Sequence, residues 1–161
     1  MTVECKLIDY TNPTEAKHLT QLLNEYAQDP MGGGKPLSDE VVDNLAVSLS
    51  KRNDAYTVIA YIDEKPAGLA NCFESFSTFK CQPLMNIHDI IVSSQFRGQG
   101  ICKQLLVEVE KLAQQKNCCK LTLEVLEGNT IAQKAYLKFG FAGYELDPEM
   151  GKALFWEKSL N

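Results

Sequence analysis

A largely apolar run from Leu84 to Val92 passes through a short segment holding two glycines into an amphipathic stretch from Gly100 to Lys116. This passage limits what the chain can fold into more than any other. The first run reads as a strand. In the second, Ile101, Leu105, Leu106, Val109 and Leu112 recur at helical spacing and form one apolar stripe. The unit therefore calls for a sheet with a helix laid on its face.

The flanking segments extend that plan. Val3 to Asp9 reads as a first strand. Pro13 stands where a first helical turn tolerates proline, and Thr14 to Gln28 carries Leu19, Leu22, Leu23 and Tyr26 at helical spacing. After the loop from Asp29 to Pro36, Ser38 caps a second helix, with Asp39 and Glu40 in its first turn and Val41, Val42, Leu45 and Leu49 expected inside. Ala55 to Ile62 and Ala67 to Phe76 flank the turn Asp63-Glu64-Lys65-Pro66 and read as a hairpin. Cys118 to Val125 reads as a strand and Asn129 to Phe139 as a helix. Phe141 to Tyr144 and Ala153 to Lys158 are expected as closing strands. A hairpin followed by a β-α-β-α succession predicts an α/β (α+β) fold. Its mixed central sheet would have six to seven strands, flanked by about four helices in a single domain over residues 1–161.

Composition excludes several classes. With 45% hydrophobic and 23% charged residues the chain is neither disordered nor fibrous. No apolar run approaches the roughly 20 residues of a membrane-spanning helix, and the start lacks a signal-peptide pattern, so the expectation is cytoplasmic. Of the six cysteines, Cys118 and Cys119 are adjacent and the rest scattered, with no Cys-x-x-Cys. The two histidines, His18 and His88, are far apart, so neither a metal site nor a disulfide framework is expected. A net charge of −5 without basic clusters argues against nucleic acid and toward small cationic partners.

The segment Gln95-Phe96-Arg97-Gly98-Gln99-Gly100 carries the chemistry. Two glycines let backbone N–H groups converge at the positive end of a helix dipole, which is a phosphate-binding arrangement, and Arg97 adds a cation. Lys103 stands where a dinucleotide fingerprint needs its third glycine. The triplet Gly32-Gly33-Gly34 with Lys35 misses the P-loop spacing and reads as a mobile loop.

Those six residues resemble the Gln/Arg-x-x-Gly-x-Gly/Ala signature of the GNAT superfamily of acyl-CoA N-acyltransferases. Asn129-x-x-Ala132-x-x-x-Tyr136-x-x-x-Gly140-Phe141 resembles the other acetyl-CoA motif of that family. Ala67-Gly68-Leu69-Ala70 with Phe76-Ser77-Thr78-Phe79 is similar to the diamine and thialysine branch. The resemblance implies an acetyl-CoA-dependent N-acetyltransferase. Backbone groups of Ile90, Ile91 and Val92 would hold the thioester and pantetheine arm. The turn Gln95, Phe96, Arg97, Gly98, Gln99, Gly100 and Ile101, with Cys102 and Lys103, would cradle the pyrophosphate. Asn129 and Ala132 would meet the cofactor, and Tyr136 would protonate the coenzyme A sulfur. Homodimers are frequent among such proteins, and Ala153 to Lys158 or the hairpin edge would offer the pairing surface.

An alkyl amine with a pKa near 10.4 is almost wholly protonated at neutral pH and needs a base before it can attack a thioester. His88 and Asp89 are adjacent on the central strand and so are expected on opposite faces, His88 sharing parity with Ile90 and Val92. His88 stands where the diamine branch has a glutamate, and Asp89 matches an acidic residue there. Glu74 on the neighbouring strand is a third candidate base. Glu25, Tyr26 and Glu74 are candidate contacts for the amine of a small molecule such as a polyamine, a diamine or a lysine-like amino acid. Acetylation of a protein, and a non-catalytic acyl-CoA-binding role, remain the alternatives.

Overall fold

The computed structural model describes residues 2–160; Met1 and Asn161, which the single-domain reading includes, lie outside them. Five strands form one sheet in the order β1 (Val3–Leu7), β2 (Ala55–Ile62), β3 (Lys65–Ser77), β4 (Gln82–Val92) and β5 (Leu121–Leu123). The first four are antiparallel neighbours, while β5 runs parallel to β4. Helices α1 (Pro13–Gln28) and α2 (Asp39–Ser50) precede β2, α3 (Ile101–Gln115) joins β4 to β5, and α4 (Thr130–Phe139) follows β5.

Local chemistry starts three of these helices. Asn12 accepts from the N–H groups of Thr14 and Glu15 with Pro13 behind it, Ser38 accepts from Val41, and Asn129 accepts from Ala132. Two apolar clusters fill the two faces of the sheet. Val58, Ala60, Ile62, Ala70, Cys72, Met85 and Ile87 meet Ile101, Leu105, Leu106 and Val109 of α3, with Tyr136 of α4 at the margin. Ile59, Tyr61, Leu69 and Ile91 meet Leu19 and Leu22 of α1 and Leu49 of α2. Only Leu49 of the apolar residues expected inside α2 is buried; Leu45 is half-buried, and Val41 and Val42 are more than a third exposed. The triple-glycine segment is folded against α1 and not free. Gly32 and Gly34 donate to the Asp29 carbonyl and Lys35 to that of Ala27, and a Cβ on Gly32 would strike the Tyr26 carbonyl.

Fewer strands form than the six to seven expected. The expected strand Cys118 to Val125 shrinks to Leu121–Leu123, with single ladder bonds from Cys119 to Pro83 and from Met85 to Lys120 ahead of it. Among the described residues Phe141 to Tyr144 and Ala153 to Lys158 join no strand of the sheet; an N–H from Ala153 to Tyr144 links them, next to the isolated bridge Glu145–Lys152. Asp147 caps a single 3₁₀ turn, Pro148–Met150, that folds this segment back on itself. A strand pattern specifies a strand only beside a free ladder, and three residues of β5 offer very little. Leu154, Phe155 and Trp156 are consequently 75–81% exposed.

Candidate active site

The short β5 creates the site. Its pairing with β4 ends at Ile87–Leu123, yet β4 continues to Val92, so no strand among the described residues covers that edge from His88 to Val92. Backbone donors and acceptors there face an open slot at the carboxyl ends of two parallel strands joined by a helix, where ligands of α/β sheets gather.

A β-bulge sits at the mouth of the slot. Asn71 lies opposite Asp89 and Cys72 opposite Ile87, which leaves His88 as the extra residue of β4. The extra residue reverses the face assignments that follow. Met85 and Ile87 point toward α3, whereas Ile91 points toward α1 and Ile90 and Val92 pack on the α3 side. The expected opposition of His88 and Asp89 does not hold. The exposed His88 ring meets Phe73 edge-on at 5.6 Å, on the face that Asp89 shares. Asp89 is half-buried, and its Oδ2 accepts from Asn71 Nδ2 at 3.0 Å.

Beyond Val92 the chain turns through Ser94–Phe96 to α3. Gly98 and Gly100 have φ of 78° and 77°, a left-handed conformation that an L side chain resists, and the space beside both is open. Alone among the α-helices of the described residues, α3 has no side-chain cap, because Gly100 occupies that position. Its first free N–H groups, on Ile101, Cys102 and Lys103, therefore lack the partner that the other helices supply from their own caps. No acidic residue lies in its first turn. The arrangement is an anion cradle.

Helix α1 holds this turn in place. Glu25 Oε1 accepts from Ser94 N at 2.7 Å and from Ser93 Oγ at 3.2 Å, and Asp29 Oδ2 pairs with Arg97 at 3.1 Å. Glu25, expected near the amine, is thus a tie between helix and turn. The Met31 backbone N–H and then the Arg97 contact hold the Asp29 carboxyl below its ordinary range. Phe96 is half-buried against the α3-side cluster, while Gln95 and Gln99 are exposed.

Tyr136 of α4 belongs to the α3-side cluster, with its ring buried and edge-on to Phe141 at 6.0 Å. Burial, then the neighbouring Cys102 and Tyr26, pushes its phenol well above the ordinary tyrosine value, so it keeps its proton at neutral pH. Burial also raises the Cys102 thiol, which stays protonated despite its place in the first turn of α3. Tyr26 donates to the Met31 carbonyl at 3.3 Å and is pushed up by burial, then by the charges of Asp89 and Asp29. Asp89, Tyr26 and Tyr136 therefore share one electrostatic neighbourhood. Glu74 is not part of it: it sits 3.6 Å from Lys116 and 3.4 Å from the Tyr56 hydroxyl, on the α3 side. Asn129 spends its oxygen on the Ala132 N–H, and Ala132 leaves the adjoining helix face low.

Sequence reading missed Asn71, Ser93 and Asp29. A polar residue in the middle of an apolar strand was the available signal for Asn71, but its pairing with Asp89 depends on a bulge that alternation alone does not reveal.

Residues 18–141 match the acetyltransferase (GNAT) family. Thialysine N-epsilon-acetyltransferase of Caenorhabditis elegans is 30% identical over 127 residues, spanning 77% of this chain and 75% of that protein. Aminoglycoside N(6')-acetyltransferase type 1 of Salmonella typhimurium is 29% identical over 76 residues, 47% of this chain and 48% of that one. Among solved structures, an integron cassette protein from V. cholerae superposes with a TM-score of 0.78 at 25% identity over 99% of this chain and 94% of its own. Aminoglycoside N-acetyltransferase AAC(6')-Iy in complex with CoA superposes with a TM-score of 0.74 at 22% identity, over 98% and 95%.

Proposed function

The chain belongs to the GNAT acetyltransferase family, and from that premise we propose that it acetylates the primary amine of a small cationic molecule, a polyamine, a diamine or a lysine-like amino acid. It is an acetyl-CoA-dependent N-acetyltransferase. The observation that supports this reading is the edge of β4 left free beyond its pairing with β5, together with the protonated phenol of Tyr136 and the half-buried, hydrogen-bonded carboxyl of Asp89. A net charge of −5 and the thialysine-acetylating relative support the choice of a cationic acceptor.

The residues present suit the cosubstrate, since an uncapped helix start beside open positive-φ glycines accepts phosphate oxygens without a Cβ in the way. Acetyl-CoA supplies an acetyl thioester whose carbonyl carbon takes the amine while the thiol leaves. The N–H groups of Ile101, Cys102 and Lys103 and of the preceding turn hold the pyrophosphate, and the free edge of Ile90, Ile91 and Val92 aligns the pantetheine arm like an added strand. A backbone N–H of that edge stabilises the oxygen charge as the amine attacks. Asp89 holds the acceptor's ammonium and takes up its proton, directly or through water; His88, exposed at the bulge, is the second candidate for that base role. Tyr136 gives its phenolic proton to the departing sulfur, and Tyr26 lines the amine side.

Thiol release with acetyl-CoA should be followed against polyamines, lysine and thialysine, aminoglycosides and short peptides. Stimulation by the first two groups is expected; a response confined to aminoglycosides or peptides would overturn the substrate class. The proposal extends to one catalytic domain over residues 1–161 acting in the cytoplasm without a membrane partner, and the acidic balance supports the exclusion of nucleic acid. The exposed apolar segment Leu154-Phe155-Trp156 and the uncovered outer edge of β5 support a homodimer, which light scattering would reject by returning the monomer mass.

A further inference from the structure

Three strands place polar side chains in a single row. Thr57 of β2 lies directly opposite Asn71 of β3, and Asn71 directly opposite Asp89 of β4. Tyr10, just past β1, completes the row. Tyr10 Oη lies 2.9 Å from Thr57 Oγ1, Thr57 Oγ1 lies 2.7 Å from Asn71 Oδ1, and Asn71 Nδ2 lies 3.0 Å from Asp89 Oδ2.

The sense of each bond follows from donor counting. Facing a carboxylate oxygen, Asn71 turns its amide nitrogen to Asp89 and its oxygen to Thr57. Thr57 must then spend its one proton on that oxygen, which leaves Tyr10 as the donor to Thr57. Burial, opposed in part by the Thr57 contact, pushes the Tyr10 phenol up, in keeping with a donor. Every donor in the row therefore points toward Asp89. An amide does not relay protons, so the row orients a group and carries nothing.

The surroundings argue against a merely structural row. Thr57 is 1% and Asn71 5% exposed, on a face otherwise filled by Ala55, Ile59, Leu69 and Ile91. Replacing a buried hydrogen-bonded pair with apolar side chains of like shape is close to neutral for stability, so folding alone does not require one here. The row ends at the bulge on Asp89, which is its one charged member and only half-buried.

We propose that Asn71, locked in one amide orientation by Thr57 with Tyr10 behind it, is a positioning residue that fixes the Asp89 carboxyl against the incoming amine. The proposal rests on the reading of Asp89 as the group that meets the amine. Without the Thr57 hydroxyl the Asn71 oxygen loses its donor inside the sheet, so the side chain is no longer held in one rotamer and the Asp89 carboxyl loses a fixed donor.

Steady-state kinetics with the best amine of the panel test this on Thr57→Val, Thr57→Ser, Tyr10→Phe and Asp89→Asn, alongside melting temperature and acetyl-CoA affinity. Thr57→Val should lower kcat/KM for the amine about tenfold or more while leaving acetyl-CoA affinity within about twofold. Thr57→Ser, which keeps the hydroxyl, should restore most of it, and Tyr10→Phe should cost only a few-fold. In an Asp89→Asn background Thr57→Val should add little, because the group it positions is gone. Unchanged amine kinetics in Thr57→Val, or full additivity with Asp89→Asn, overturns the positioning role while leaving Asp89 in place. If Asp89→Asn itself is without effect, the reading of Asp89 fails and takes the proposal with it. A fall in amine and acetyl-CoA parameters alike that tracks a lowered melting temperature, unrescued by serine, also overturns it.

Discussion

The two faces of the sheet are built from the same strands and differ in what they bury. Toward α3 and α4 the inward side chains are aliphatic, with thiols at Cys5 and Cys72 and the ring of Tyr136. Toward α1 and α2 two of the buried positions are Thr57 and Asn71, joined through Asp89 to the rim. Burial on the first side keeps protons on acids; hydrogen bonding on the second presents a carboxyl as an acceptor. On the proposed reading, the acid and the base are thus drawn from environments of opposite character: a buried phenol at Tyr136 and a hydrogen-bonded carboxyl at Asp89.

The comparison breaks most visibly at Tyr136. Tyr136→Phe should lower kcat by about 10²–10⁴-fold with acetyl-CoA binding retained in calorimetry, and unchanged turnover would mean that the dry side supplies no acid. Leu105→Ala, on the fully buried stripe of α3, should destabilise the fold by about 2–5 kcal/mol in urea unfolding. A cost below about 1 kcal/mol would show that face to be less tightly packed than its burial implies. A smaller effect concerns alkali. Burial, with Asp89 adding, pushes the Cys72 thiol up to about 12, and burial, then the Glu108 charge, takes Cys5 to about 11. A folded-state value above the unfolded one means that stability is whole below about pH 9 and falls as pH climbs toward those values. For Cys72 the loss is at most about 1.4 kcal/mol per pH unit. Burial raises the phenols of Tyr10, Tyr26 and Tyr61 on the other face, and in the unfolded chain phenols lose protons only near pH 10, so the first drop in melting temperature, between about pH 9 and 10, belongs to the α3 side. Cys72→Ala should flatten that drop, and an unchanged slope would assign it elsewhere.

Much of this was readable before any coordinates. Helical spacing located α1, α3 and α4, and the glycine turn marked the anion cradle because positive φ and an uncapped helix start are properties of local sequence. The motif singles out Tyr136, and the fold buries its ring. What escaped depends on partners distant in sequence. Alternation put His88 and Asp89 on opposite faces, and one extra residue in β4 undid that. Glu74 and Glu25 look equally available in the sequence, until Lys116 is seen to occupy the first and Ser93 and Ser94 the second. The closing strands failed for a similar reason: Ala153 to Lys158 has a strand's composition and lacks a ladder to join.

The missing cap of α3 ties folding to supply. Asn12, Ser38 and Asn129 finish their helices from within the chain, whereas the helix behind the glycine turn leaves its first N–H groups without a side-chain cap. A ligand bound there at a hundred times its dissociation constant adds about 2.7 kcal/mol to the folded state. An anion that docks at this helix start would therefore steady the fold by the same contact that holds it in the site.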